Sequence, residues 1–275
     1  MNHHESIIKS NLAPEGILTL TFNSPGNRNA LSKAMLEELQ SQIQVASESI
    51  EVRVIVIDAI GSAFCAGHDL KEIESHRGDA DDGVKFFQEL MSLCSAVMEE
   101  IVRSPKPVIA KVDGIATAAG CQLVATCDLA YASEQSRFST PGVHIGLFCS
   151  TPMVALSRNV SHKHAMEMLL VGEMISSVRA EEIGLINRCT KAEELDHVVA
   201  LIALKITSKS VQTLRIGKQA FYQQVEMTLP EAYKYASEVM VSNLIHQDAR
   251  EGIAAFLEKR DPKWENKSDD APKPL

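Results

Sequence analysis

Two hydrophobic periods alternate along the chain. Residues 17–22 form a short β-branched, apolar run that stops at Asn23-Ser24-Pro25-Gly26, the pattern of a strand ending in a turn. Ser32 stands where an N-cap belongs. Behind it Met35, Leu36, Leu39, Ile43 and Ala46 share one helical face, with Glu37, Glu38 and Gln42 opposite. Residues 52–57 are almost unbroken apolar, as in a strand covered on both faces. After a polar break at 79–83, Phe86, Leu90, Leu93, Val97 and Ile101 return to helical spacing. Pro105 and Pro107 close that helix, 108–112 read as the next strand, 119–126 as a helix of small residues and 129–132 as another strand. Beyond residue 160 the signal is almost purely helical, over 161–170, 178–184, 192–207, 211–224 and 229–258. The order predicts an α/β core followed by a helical region. The order of the strands within a sheet does not follow from the pattern.

Composition narrows the function. With 275 residues, 45% of them hydrophobic, the chain can bury a sizeable core as one large domain or two small ones. A formal net charge of −9 argues against wrapping nucleic acid or an anionic membrane. No basic stripe interleaved with aromatics favours RNA binding. The six cysteines (65, 94, 121, 127, 149 and 189) form no Cys-x-x-Cys pair and have no His partners at zinc-finger spacing. They read as reduced thiols, with no metal site implied. No Gly-x-Gly-x-x-Gly loop points to a dinucleotide. Met1-Asn2-His3-His4-Glu5 shows no export or transit signal, and no apolar run approaches the roughly 18 residues of a membrane helix. A cytoplasmic protein is the expectation, with a mature mitochondrial-matrix form as the alternative.

Three segments carry the chemistry. They are Pro25-Gly26-Asn27-Arg28-Asn29-Ala30-Leu31; Gly61-Ser62-Ala63-Phe64-Cys65-Ala66-Gly67-His68-Asp69-Leu70; and Lys106 to Gly114, running on through Ala119-Gly120-Cys121 to Cys127-Asp128. Their order and spacing, with Gly252 to Trp264 near the C-terminus, resemble the enoyl-CoA hydratase/isomerase (crotonase) superfamily along almost the whole chain. The stretch from Ser139 to Pro152 is similar to one subgroup of it. The resemblance implies a crotonase (ClpP-like) ββα spiral core with the acyl-CoA pocket in residues 1–200 and a helical trimerisation region in 201–262, while the polar, Pro-containing residues 263–275 read as a disordered tail. It implies a homotrimer or a dimer of trimers, acting in fatty-acid or acyl-CoA metabolism. Coenzyme A is then part of the substrate, and no separate cofactor is expected.

The resemblance also implies that two backbone amides, of His68 and Ala119, hold the thioester oxygen as it becomes an enolate. Physics supports the second independently. The first amides of a helix lack intrahelical partners and lie at the positive end of its dipole. The small residues Ala116, Ala118, Ala119 and Gly120 let a ligand approach the backbone.

The sequence departs from the family where a hydratase keeps its two glutamates: those positions are Gln122 and Gly142. Adding water to an enoyl thioester needs a base for water and an acid for carbon, and an amide exchanges no protons near neutral pH. Efficient hydration is therefore not expected, while isomerase, lyase or decarboxylase chemistry on the enolate stays open. So do a non-catalytic acyl-CoA-binding role and a hydratase with relocated acid and base. The candidate replacements are His68, His144 and Cys149, each readable as a catalytic or a packing side chain. Asp69 reads as a loop-shaping hydrogen-bond acceptor. For the coenzyme the matched positions are Arg28, Ala66, His68, Asp69, Leu70 and Lys71, with Phe256 and Lys259 reaching the nucleotide, often across a subunit boundary.

Overall fold

The computed structural model describes residues 6–265. The N-terminal pentapeptide and residues 266–275 of the expected tail lie outside the described residues.

The chain opens with β1 (Ile8–Leu12), β2 (Ile17–Phe22), α1 (Lys33–Glu48), β3 (Val54–Ala59), β4 (Ala63–Cys65), α2 (Leu70–Ser75) and α3 (Val84–Arg103). Next come β5 (Val108–Val112), β6 (Ile115–Thr117), α4 (Ala119–Thr126), β7 (Leu129–Ser133), β8 (Arg137–Ser139), α5 (Ser150–Asn159) and α6 (His162–Val171). It closes with β9 (Ile175–Ser176), α7 (Ser177–Glu182), β10 (Arg188–Thr190), α8 (Leu195–Thr207), α9 (Val211–Gln224), α10 (Leu229–Ile245) and α11 (Gln247–Glu258).

Three successive β-β-α units build the core. In each, the first strand (β3, β5, β7) joins a six-stranded sheet of order β1-β2-β3-β5-β7-β10, and the second (β4, β6, β8) joins a four-stranded sheet of order β4-β6-β8-β9. Every pairing in the larger sheet is parallel except β1 with β2. The first five residues of β3 are all buried, which is why its sequence shows no alternation. α1 forms as expected: the Ser32 hydroxyl accepts from the Met35 amide at 3.2 Å, and Met35, Leu36, Leu39, Ile43 and Ala46 are buried. α8 lies over the large sheet, with Leu195, Val199 and Ala203 clustered against Val54, Val56, Ile109 and Tyr131. Lys111 fastens it, with its ammonium 2.8 Å from Asp58 and 2.6 Å from Asp196.

The structure differs from the sequence expectation in several places. The three-residue strands β4, β6 and β8 lie inside or beside the motif segments, too short to show a period. β10 interrupts the expected all-helical region and completes the large sheet against β7. α5 begins inside the stretch 139–152, for which the pattern predicted no helix. The expected helix 229–258 is two helices, broken at His246, which is extended (φ −67°, ψ 148°) and whose Nδ1 accepts from the Asp248 amide.

α9 is pinned to the core by Lys218. Its ammonium donates to the carbonyls of Ile101 and Lys106, each at 2.9 Å, and lies 2.7 Å from the Asp128 carboxylate. Tyr222 donates to the other oxygen of that carboxylate at 2.9 Å. α10, by contrast, buries no residue of its own. The start of the expected tail is held. Trp264 donates to the Ser208 carbonyl at 2.8 Å, and the Glu265 amide donates to Asp248 at 3.1 Å.

Candidate functional site

The first two motif segments are zipped together by backbone hydrogen bonds. The Leu31 amide donates to the Gly67 carbonyl at 2.7 Å, and the Ala66 amide donates to the Arg28 carbonyl at 3.1 Å. Asn29 is the buried fastener. Its side-chain NH₂ donates to the carbonyls of Ile60 (2.9 Å) and Ala63 (2.8 Å), while its Oδ1 accepts from the Ser24 amide. Arg28 and Asn29 both have positive φ, 57° and 52°, a conformation asparagine tolerates better than most residues. Sequence reasoning passed over Asn29; its place in a Gly-Asn-Arg-Asn turn was the available signal.

The third segment meets the second at the start of α4. The Thr117 hydroxyl donates to the Ala66 carbonyl at 3.1 Å, another tie the sequence did not disclose. Gly67 has φ +85°, and a Cβ placed on it would sit 2.9 Å from Ala118 Cβ and 3.2 Å from the Ala119 amide nitrogen. Gly120 is just as constrained, since a Cβ there would overlap the Cys65 carbonyl. Glycine at both positions lets the strand end and the helix end close on each other.

Ala118 carries the backbone strain of the site, with φ 51° and ψ −120°, a conformation rare for any residue with a side chain. It turns the chain so that the Ala118 amide is used by the Ser139 carbonyl at 2.9 Å, while the Ala119 amide begins the helix. Among the described residues, neither the Ala119 amide nor the His68 amide has a hydrogen-bond acceptor. Two free donors thus lie side by side, one of them at the positive end of a helix whose eight residues are all buried. Such a pair suits an oxygen that gains negative charge.

The candidate side chains divide into buried and exposed ones. Gln122 is 4% exposed, and its Oε1 is buried without a partner. His68 is half-buried, with its Nε2 buried and unpartnered, and desolvation holds its pKa down at about 4. The ring is therefore neutral at pH 7. Cys149 is buried, and burial raises its thiol pKa. A Cβ built on Gly142 would lie 3.0 Å from Cys149 Sγ and 2.8 Å from the Leu147 carbonyl oxygen, so that thiol fills the space beside residue 142. His144 is exposed, and its Nε2 faces Gly172 after α6, 2.9 Å from where a Cβ would be.

Asp69 N-caps α2, accepting from the amides of Lys71 (2.9 Å) and Glu72 (3.3 Å). This keeps the backbone after His68 in place. Arg28, Leu70 and Lys71 are exposed beside the amide pair, and Ala66 is half-buried. Phe256 and Lys259 are exposed at the end of α11, and among the described residues no hydrogen bond or ion pair ties either to the 66–71 loop. Trp264 lies over Gly252, a ring carbon 3.2 Å from the position of a Cβ. No three His, Cys, Asp or Glu side chains among the described residues meet as a metal site. No helix of the described residues is long and apolar enough to cross a membrane.

Known proteins are similar to this chain in sequence and fold. A family model described as enoyl-CoA hydratase/isomerase matches residues 13–267. The mitochondrial enoyl-CoA hydratase domain-containing protein 3 of Rattus norvegicus is 46% identical over 260 residues, spanning 94% of this chain and 85% of the relative. The crystal structure of the human enoyl-CoA hydratase domain-containing protein 3 superposes with a TM-score of 0.89 at 46% identity, over 94% of this chain and 100% of that one. That is the subgroup to which the stretch 139–152 pointed. An enoyl-CoA hydratase structure from Mycobacterium smegmatis gives a TM-score of 0.90 at 45% identity, over 94% and 99% of the two chains.

Proposed function

The chain belongs to the enoyl-CoA hydratase/isomerase family, and from that premise we propose that it binds an acyl-CoA thioester and stabilises its enolate against the His68 and Ala119 amides. The observation that carries this reading is the pair of acceptor-free amides brought together by Gly67, whose Cβ position lies 3.2 Å from the Ala119 nitrogen. Donors fixed before charge develops each typically supply about 10²–10³ in rate. Coenzyme A enters as part of the substrate. The exposed cations Arg28 and Lys71 flank the loop where its phosphates would pass. Phe256 and Lys259 are assigned to the nucleotide of a neighbouring protomer's pocket, in a homotrimer or a dimer of trimers. The uncovered face of α10 supports that assembly.

The reaction we assign is isomerase or lyase chemistry on the enolate, not efficient hydration, because positions 122 and 142 carry no carboxylate. That same lack favours a second reading, a protein that binds acyl-CoA without turning it over. The compartment is assigned to mitochondria, the word carried in the names of the similar proteins.

One experiment separates the readings. Acetyl-CoA labelled with ¹³C at the carbonyl is titrated with protein and followed by infrared and NMR spectroscopy. Two donors on the oxygen should lower the carbonyl stretching frequency on saturation, and exchange of the α-protons with D₂O should accelerate. A lowered frequency without exchange selects the binding protein. Saturable binding with an unshifted carbonyl removes the amide pair from the mechanism.

A further inference from the structure

Two buried lysines in this fold are satisfied very unequally. Lys218, on α9, fills its ammonium with the carbonyls of Ile101 and Lys106 and with the Asp128 carboxylate. Lys106 is 7% exposed, yet its ammonium donates to one acceptor, the Ser49 carbonyl at 2.9 Å. No carboxylate pairs with it among the described residues. Asp128 is already engaged by Lys218, the Tyr222 hydroxyl and the Val108 amide.

Further cations stand beside Lys106 instead. Arg215 lies on α9 one turn before Lys218, on the face that the Lys218 bonds hold against Ile101 and Lys106. Arg53, just ahead of β3, donates from Nη2 to the Lys209 carbonyl at 2.8 Å, just ahead of α9. Burial, and then the charges of Arg215 and Arg53, push the Lys106 ammonium below the ordinary lysine value. Arg215 is half-buried and makes no side-chain hydrogen bond or ion pair among the described residues. Glu48 and Glu51, the acids on the adjoining loop, are exposed and pair with neither Lys106 nor Arg215. The cluster is remote from the amide pair. β3 and β5 run parallel, and Arg53 and Lys106 precede these strands, whereas His68 and Ala119 follow them.

Cations gathered in this way repel one another and lose hydration, and a bound anion relieves both costs. A guanidinium forks onto two oxygens of an oxyanion, and an ammonium adds a point charge. A phosphate group carries about −1.5 to −2 at pH 7 and so answers more than one cation at once. We infer that Lys106 and Arg215, with Arg53 beside them, form a second anion site at the far end of the large sheet, one that takes a phosphate group, free or as a monoester. The inference does not depend on the thioester reading.

The test uses the full chain, with inorganic phosphate and glycerol 3-phosphate as probes and sodium chloride and acetate as controls at equal ionic strength. Calorimetry should show saturable phosphate binding, and about hundredfold saturation should raise the melting temperature by about 5 °C. The tighter of the two probes identifies the source as the free ion or an ester. Arg215→Gln and Lys106→Met should each weaken binding at least about tenfold. Without phosphate, Arg215→Gln should be no less stable than the native protein, because it removes a like charge. Binding should survive Arg28→Gln and Lys71→Gln. Binding lost in those two variants but kept in Arg215→Gln would place the phosphate at the acyl-CoA loop and overturn the inference. An equal effect of acetate, or no saturable binding, also overturns it. So does an Arg215→Gln protein that is destabilised in the absence of phosphate yet binds phosphate normally, since Arg215 would then be a structural cation.

Discussion

Replacing Gln122 by Glu is the sharpest probe of the chemistry, because it restores one hydratase carboxylate while changing a single side-chain atom. Gln122 is 4% exposed and its Oε1 is unpartnered, so the new carboxylate would lose hydration without gaining a donor. Desolvation would raise its pKa toward neutrality, the range useful for general acid–base work. General acid and base groups usually contribute about 10²–10⁴ each. The native protein, lacking both, should hydrate crotonyl-CoA orders of magnitude more slowly than a dedicated hydratase. Because the two carboxylates act as a unit, Gln122→Glu alone should recover no more than about tenfold. Adding Gly142→Glu should not complete the pair. Gly142 is not in the left-handed region, so φ is no obstacle. Space is the obstacle, since the new Cβ would sit 2.8 Å from the Leu147 carbonyl and 3.0 Å from Cys149 Sγ. The Leu147 amide also donates to the Gly142 carbonyl at 2.9 Å, which closes that turn on itself. Overpacking of this kind costs about 1–3 kcal/mol. That should lower the melting temperature by about 2–10 °C and blunt the rate gain. The assay is loss of the enoyl-thioester absorbance for the native protein, both single variants and the double variant. Fast hydration by the native protein would refute the reasoning and make Cys149, beside residue 142, the first suspect for proton transfer.

Three further outcomes are expected. Gly120→Ala should abolish thioester binding and lower the melting temperature, because its Cβ cannot share space with the Cys65 carbonyl; wild-type binding by a folded variant would contradict the close approach described. Burial holds His68 at about 4 against 6.5 in the unfolded chain, which therefore binds more protons between these values; stability should be intact above pH 6.5 and fall toward pH 4 by up to about 3 kcal/mol, and urea unfolding of His68→Gln should show less of that slope. Lys218→Met should cost about 3 kcal/mol by stranding Asp128, and should expose α9 to proteolysis before the core; unchanged protection would sink the docking argument.

Long periodic elements were legible from the sequence. α1, α4 and α9 fall where their spacing and caps predict, because each has a buried face or a clear N-terminal signal. The second sheet was not legible, since β4, β6 and β8 are three residues each and their partners lie tens of residues away. The His246 break was hidden because apolar residues run on through both α10 and α11. At the site, the positions of His68 and Ala119 could be named from motif and helix-end physics, and Gly67, before His68, abuts the Ala119 amide nitrogen. Asn29 and Thr117 act through distant backbone partners, which spacing alone does not encode. The position of His144 against Gly172 likewise depends on the fold of α6.

The strands of the large sheet lie in space in the order in which they occur in the chain, from β1 to β10. A ribosome delivering this polypeptide from its N-terminus thus never leaves a strand waiting for a partner several units downstream. Each emerging β-β-α unit finds the edge laid down by the one before it, and the advancing edge is covered as soon as the next strand appears. Pairings between neighbouring units close loops of tens of residues, not of the whole chain. A late piece, α9 with Lys218, locks onto Asp128, already in place after α4. Nascent chains stalled at successive unit boundaries should accordingly gain protection stepwise, as a spiral wound from one end.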